Sequence, residues 1–219
     1  MTIVVNILLV LVAYLLGSIS NAVWVGKKFY GTDVREYGSK NAGATNVLRV
    51  LGWKAALPVF ILDMAKGIIA VQLVRFTNFI PETNAYVGFQ IVLGLAALVG
   101  HILPVFARFK GGKGVATIAG VVLSMHPYAM LMAFGVWLLV FVLTKYVSLS
   151  SICASIAFPV IVIVIFGMFI DPAETLTMKI FSVVVCCIIV YTHRTNIRRL
   201  IKGEESKTSF TKKPMVTKE

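Results

Sequence analysis

Two lysines and three glycines fall within five consecutive residues, Lys110-Gly111-Gly112-Lys113-Gly114, between two long apolar runs. Glycine lets main-chain N–H groups approach a ligand closely, and the lysines add charge, so the stretch reads as an anion cradle, above all for phosphate. Val115 opens a helical pattern, so the loop also faces a helix N-terminus and its positive potential. Nucleotide loops are excluded. A Walker loop needs Ser or Thr directly after Gly-Lys, where Gly114 stands, and a dinucleotide fingerprint needs a third glycine at position 117, which is Thr117. A plain positive anchor between two helices accounts for Lys110 and Lys113 but asks for no close main-chain approach, which the three glycines supply.

Three further clusters carry hydrogen-bond donors. Gly38 to Arg49 holds Ser39, Lys40, Asn41, Thr45, Asn46 and Arg49 with no carboxylate after Glu36. Hydroxyl, guanidinium and main-chain donors of this kind bind phosphate, although Ser, Asn and Gly also make turns and helix caps. Ser148-Leu149-Ser150-Ser151 precedes an apolar run, and serine caps explain it as readily as ligand binding does. His193 and Asn196 are three residues apart and share a helix face, followed by Arg198 and Arg199, whose cations also suit a helix C-terminus or anionic lipid. Asp63 and Lys66 lie inside an apolar run at a separation that permits pairing, either as a structural ion pair or as part of a site. His101 ends another run beside the glycine loop, where it could orient the loop, act directly or cap the helix.

The elements that position these groups are transmembrane helices. The 219-residue chain is 58% hydrophobic and only 14% charged, against about a quarter charged in soluble domains. Its mean hydropathy is +0.90. Period-2 alternation is absent, which argues against a transmembrane barrel. A span takes about 20 apolar residues, and the runs predict crossings over 3–25, 55–76, 85–106, 151–169 and 178–192. The stretch 115–143 is one long helix or two short ones. His126-Pro127 in its middle and the distribution of charge favour two, with a turn near 124–127. The expected fold is therefore an all-α polytopic membrane protein of seven transmembrane helices, some of them short or re-entrant. Eighteen of the 21 basic residues then fall on one side, which the positive-inside rule makes cytoplasmic; the N-terminus lies outside and the C-terminus in the cytoplasm. The three cysteines, Cys153, Cys186 and Cys187, suggest neither zinc nor a disulfide framework. The net charge of +12 comes without any nucleic-acid motif, so no nucleic acid is expected as a partner.

Four clusters rich in cations and poor in carboxylates thus fall on one membrane face. No acidic metal cage or acidic dyad is visible, so no metal and no cofactor are expected. The His-x4-Asp acyltransferase spacing fails at all three histidines, whose fifth following residues are Phe106, Leu131 and Arg198, and no Gly-x-Ser-x-Gly elbow exists. A site that binds phosphorylated substrates and lets them react directly fits best. An organic-phosphate transporter would need polar groups threaded through the membrane centre, and a passive lipid-headgroup binder is the remaining alternative.

The segments GSKNAGATNVLR, GHILPVFARFKGGKGVAT, SLSS and HRTNIRRLIKGEE, with GSISNAVWVGK and DMAKG, resemble in order the signature segments of the bacterial acyl-phosphate:glycerol-3-phosphate acyltransferase family (PlsY), over residues 17–204. The resemblance implies transfer of a fatty acyl group from acyl phosphate to the 1-hydroxyl of sn-glycerol 3-phosphate. The products are 1-acylglycerol 3-phosphate (lysophosphatidic acid) and phosphate, the first acylation of phospholipid biosynthesis, with no covalent acyl-enzyme. It implies a multi-pass protein of the bacterial cell (inner) membrane with its active site on the cytoplasmic face. Its partners are glycerol 3-phosphate, fatty acyl phosphate and membrane lipid, with room for a soluble enzyme that produces acyl phosphate. On this reading Ser39 and Arg49 bind glycerol phosphate, while Asn41, Thr45 and Asn46 shape their loop. Lys113 and the amides of Gly111, Gly112 and Gly114 hold the acyl phosphate with help from Lys110. His193 and Asn196 position the attacking hydroxyl, and Ser148 and Ser151 add hydrogen bonds. The base is either His193 or the substrate's own phosphate. One domain is expected over 1–205, with a solvated basic tail over 206–219.

Overall fold

The structure is a computed structural model that describes residues 2–170, 175–208 and 215–216. Every regular element among the described residues is helical. Helix α1 (Thr2–Ser18) bends by 43° into α2 (Asn21–Tyr30), so the first predicted span is broken where the sequence suggested one run. A short amphipathic helix, α3 (Ala44–Leu51), leads into α4 (Trp53–Gln72), which a 3-10 turn extends to Phe76. Then follow α5 (Asn84–Ile102), α6 (Val115–Met125) and α7 (Pro127–Thr144). Helix α8 (Val147–Val160) continues as a π-helix through Ile170. Last come α9 (Leu176–Thr192) and α10 (Arg194–Ile201), with a 60° bend between them.

The break inside 115–143 falls where the sequence placed it. His126 caps α7 by accepting the Ala129 N–H at Nδ1 (3.2 Å), and Pro127 takes the first helical position, where its missing N–H costs nothing. Among the described residues four helical segments are long and apolar enough to cross a membrane, and six if each bent pair counts as one span. The expected seventh is α6. Its 11 residues rise about 16 Å at ~1.5 Å per residue, half of a hydrocarbon core about 30 Å thick.

The described helices form two compact units. The first comprises Met1–Asn78, Val92–Val121 and Ser209–Glu219; the second comprises Phe79–Ile91 and Val122–Thr208. Within the first, α4 turns its mid-helix charges inward: Asp63 and Lys66 are buried, as is Gly67, while Leu57, Ile61, Leu62 and Ile69 are exposed. That inversion suits a helix with lipid outside, where polar side chains find partners only in the interior. Small residues allow the main chains to close up. A Cβ on Gly67 would overlap the Thr117 carbonyl, and one on Gly120 the Met64 carbonyl, so α6 lies directly against α4. An apolar cluster of Val23, Val25, Val34, Val47, Val50 and Val59 anchors α2, α3 and the start of α4 beneath the 33–43 segment.

The basic tail expected over 206–219 lies mostly outside the described residues. Its described part is tied down: the Thr208 N–H donates to the Lys145 carbonyl (2.8 Å) and the Val216 N–H to the Val50 carbonyl (3.0 Å).

Candidate active site

In the first unit the Gly38–Arg49 segment is organised by Asn46. This side chain is buried, and its Nδ2 donates to the carbonyls of Val34 (2.7 Å) and Tyr37 (3.2 Å). Its Oδ1 accepts the Ser39 N–H (2.8 Å) and the Ser39 hydroxyl (3.1 Å). Asn46 therefore ties together the backbone of this turn and holds the half-buried Ser39 hydroxyl. Asn41, Thr45 and Arg49 are also half-buried.

The turn just before this segment is fastened to the base of the glycine loop by Arg35. Its Nε and Nη2 form a fork on Asp33 (2.9 and 2.7 Å), and its Nη1 donates to the Ala107 carbonyl (2.8 Å). The Arg35 fork holds the Asp33 carboxyl well below the usual carboxylate range, and Asp33 in turn raises the Arg35 guanidinium. A carboxylate depressed on folding stabilises the fold fully above its ordinary value of 3.8. That contribution is lost as pH falls through the depressed value. Asp33→Asn should therefore destabilise the fold by a margin on the order of 1 kcal/mol at neutral pH. The margin should hold steady down to about pH 5 and shrink below about pH 4, as thermal melts of both proteins across pH would record.

Between α5 and α6 the chain makes a tight turn. Arg108 and Phe109 both take left-handed backbone angles (φ 56° and 57°), and the Phe109 N–H donates to the Pro104 carbonyl (2.8 Å). Lys110 is exposed and Lys113 half-buried. The glycines have an intramolecular reason that the sequence did not reveal. A Cβ on Gly111 would overlap the His101 carbonyl, one on Gly112 the His101 ring, and one on Gly114 (φ 86°) the Leu98 side chain. The close main-chain approach is thus made to the end of α5. The loop also touches the Ser39 segment, the Ala42 N–H donating to the Gly111 carbonyl (3.4 Å).

Asp63 and Lys66 pair at 3.0 Å, both buried. Asn21 Nδ2 donates to Asp63 Oδ1 (2.9 Å) and Lys66 Nζ to the Ile19 carbonyl (3.0 Å), so the pair fastens α4 to the α1–α2 bend. These are the contacts of a structural ion pair.

In the second unit His193 and Asn196 are both buried at the α9–α10 bend, but not on one helix as their spacing suggested: His193 stands between the two helices, and its carbonyl accepts the Asn196 N–H (2.8 Å). His193 Nδ1 lies 2.8 Å from the Ile189 carbonyl. That contact requires a proton on Nδ1, which makes Nε2 the acceptor nitrogen of the neutral ring. Asn196 Nδ2 donates to Glu205 Oε1 (2.8 Å), which also accepts the Ser148 hydroxyl (2.9 Å); Arg199 Nε stands 3.2 Å from Oε2. Glu205 was not singled out from sequence. Its signal is a carboxylate in a cation-rich segment, but its partner Ser148 is 57 residues away. The serines lie inside α8, not ahead of it, and Tyr146 is the N-cap, so capping does not explain them. Ser151 serves packing: its hydroxyl donates to the Val147 carbonyl (2.9 Å) and accepts from Trp137 Nε1 (3.2 Å).

Among the described residues no three His, Cys, Asp or Glu side chains stand together as a metal cluster. The sequence profile of the family described as Glycerol-3-phosphate acyltransferase matches residues 7–203. The chain belongs to this family. Enzymes named glycerol-3-phosphate acyltransferase from Chlorobaculum tepidum and Chlorobium limicola are 42% and 40% identical to it, over 94% and 92% of this chain and 97% and 95% of theirs. Two crystal structures of PlsY (YgiH), an integral membrane glycerol 3-phosphate acyltransferase, are also similar. The glycerol 3-phosphate form has a TM-score of 0.82 at 40% identity, covering 93% of this chain and 96% of that one. The lysophosphatidic acid form has a TM-score of 0.79 at 38% identity, covering 94% and 96%. The protein is accordingly an acyltransferase and a multi-pass membrane protein of this family.

Proposed function

We propose that this acyltransferase esterifies the 1-hydroxyl of sn-glycerol 3-phosphate with a fatty acyl group drawn from acyl phosphate, releasing lysophosphatidic acid and phosphate. The observation that carries this is the near full-length likeness to an integral membrane enzyme crystallised with the acceptor and with the product. The donor assignment rests on chemistry. An acyl phosphate is a mixed anhydride whose leaving group is already good, so the enzyme needs no nucleophile of its own. Two phosphorylated substrates also account for loops in which cations and hydroxyls outnumber carboxylates.

The hydroxyl oxygen attacks the acyl carbon, a new C–O ester bond forms, and the bond from that carbon to the phosphate oxygen breaks. The phosphate leaves with the electron pair. Ser39, oriented by Asn46, and Arg49 bind the glycerol phosphate. Lys113, with the Gly111 and Gly114 amides and Lys110 alongside, holds the donor's phosphate and steadies charge on the carbonyl oxygen; the Gly112 amide, also expected there, instead donates to the His101 carbonyl. His193 and Asn196 attend the attacking hydroxyl. Its proton goes either to His193 Nε2 or to the departing phosphate. His193→Gln separates these routes: a histidine base predicts a fall in kcat of about 10²–10⁴-fold, and near-normal turnover assigns the proton to the phosphate.

We further propose seven crossings, α6 being the short one, with the N-terminus outside. The active site then faces the cytoplasm from the bacterial inner membrane. Eighteen of 21 basic residues fall on the cytoplasmic side in this arrangement. One assay tests the reaction: purified protein in detergent, given acyl phosphate and radiolabelled glycerol 3-phosphate. Labelled lysophosphatidic acid formed without a membrane barrier supports the proposal and excludes the transporter and headgroup-binder readings. No product with acyl phosphate, but product with another acyl donor, overturns the donor assignment.

A further inference from the structure

His101 joins two features that the proposed reaction treats separately: the buried charges of α4 and the glycine loop that carries Lys113. The ring is buried at the end of α5. On one side its Nδ1 stands 3.7 Å from Asp63 Oδ1. That carboxylate is itself immobilised by Lys66 and Asn21. On the other side the ring meets the loop. A Cβ added to Gly112 would overlap His101 Nε2, with Cδ2 at 3.0 Å. The main chain of the same residue holds the loop as well. The Gly112 N–H donates to the His101 carbonyl (3.1 Å), and a Cβ on Gly111 would overlap that carbonyl. Ala42 closes the sandwich opposite: its N–H donates to the Gly111 carbonyl (3.4 Å), and its own carbonyl would stand 3.0 Å from a Gly112 Cβ.

We propose that His101 is a positioning residue, a wedge between the buried Asp63–Lys66 pair and Gly112 that sets the height of the loop and so the place of the Lys113 ammonium. This rests on the assignment of Lys113 to the donor's phosphate. The physical reason is rigidity. A loop of three glycines has few preferred conformations of its own, and an active lysine misplaced by about 1 Å can lose ~10²-fold in rate. The wedge supplies what the loop sequence lacks, because its own position is set by a buried carboxylate with two further partners. Asp63 and Lys66 thus bear on the reaction only through the histidine and touch no substrate.

The test is a compensation experiment with full-length protein in detergent, measuring kcat and thermal unfolding together. Gly112→Ala drives a methyl group into the ring and should lower kcat about 100-fold. His101→Ala alone leaves the loop unsupported and should lower kcat about tenfold. Combining the two gives the methyl group the vacated space, and the double variant should recover at least about tenfold over Gly112→Ala. The three variants should melt within a few degrees of each other. If His101→Ala does not yield folded protein, His101→Asn, which also lacks the ring, replaces it in the same pair. A double variant no faster than Gly112→Ala overturns the proposal, as does activity that merely follows the unfolding temperature across the set. Lys113→Ala is measured in parallel. If it turns over like the parent, the loop assignment itself has failed; if it is inactive while compensation is absent, only the wedge has failed.

Discussion

Replacing Lys113 by alanine is expected to lower kcat/KM by at least about 10²–10³-fold, the range for removal of a single donor that stabilises charge in an acyl-transfer transition state. The half-buried Lys113 stands in the chain between Gly112 and Gly114, just ahead of the N-terminus of α6. It is the cation whose main chain is held on both sides by packing against α5. Charge alone does not suffice for the role. Lys113→Arg keeps the positive charge but presents a wider planar group on a longer stem, and it should recover only part of the loss. Lys179→Ala, in the first turn of α9 and so at the opposite end of that helix from His193, should stay within about twofold of the parent. Turnover of acyl phosphate and labelled glycerol 3-phosphate by the three variants is the measurement. Equal losses at Lys113 and Lys179 would falsify the loop assignment.

Glu205→Ala should have the largest effect on stability in the second unit. The carboxylate is 6% exposed. It accepts from Ser148 and Asn196 and pairs with Arg199, so it fastens the segment that follows α10 to the starts of α8 and α10. Its removal strands two buried neutral donors, each costing about 1–3 kcal/mol. Arg199 is 36% exposed along its side chain and can turn to solvent, which limits its share. A total loss of roughly 2–4 kcal/mol follows, or on the order of 10 °C in unfolding temperature. Glu205→Gln retains an oxygen acceptor and the volume, and should lose less than half as much. Catalysis should also suffer in the alanine variant, because Asn196 loses the partner that orients it. Melting curves and kcat measured on both variants test this. An alanine variant as stable as the parent would show that the donors find other acceptors.

Much of the fold was legible because lipid imposes strong rules. Apolar runs near 20 residues had to be helices, since a backbone in hydrocarbon must satisfy its own hydrogen bonds. The break at His126-Pro127 was visible for a local reason, proline's fit to a first helical turn. Other breaks were not. The bend between Ser18 and Asn21 lies in a run without proline or charge, where Lys66 from α4 reaches the Ile19 carbonyl. The start of α8 at Val147, four residues ahead of the expected boundary, brings serines into the helix that their composition suggested as caps. The spacing of His193 and Asn196 suggested one helix face, since i and i+3 are neighbours on a helix, but His193 stands at the 60° bend between α9 and α10, which no local signal marks.

The sequence by itself determined the class of protein, an all-helical membrane enzyme, and the residue types that could handle phosphate. Local composition and periodicity carry that information, as do the ordered motifs of the glycerol-3-phosphate acyltransferase family. Tertiary structure alone decided what holds those residues in place. Asn46 is spent on Val34, Tyr37 and Ser39, and Glu205 on Ser148 and Asn196, while the glycines around Lys113 yield to His101 and Leu98. These contacts join residues on different turns or helices, from 7 positions apart for Ser39 and Asn46 to 57 for Ser148 and Glu205. No local pattern marks them, because they arise only when buried polar groups must find partners among whatever the packed helices bring near.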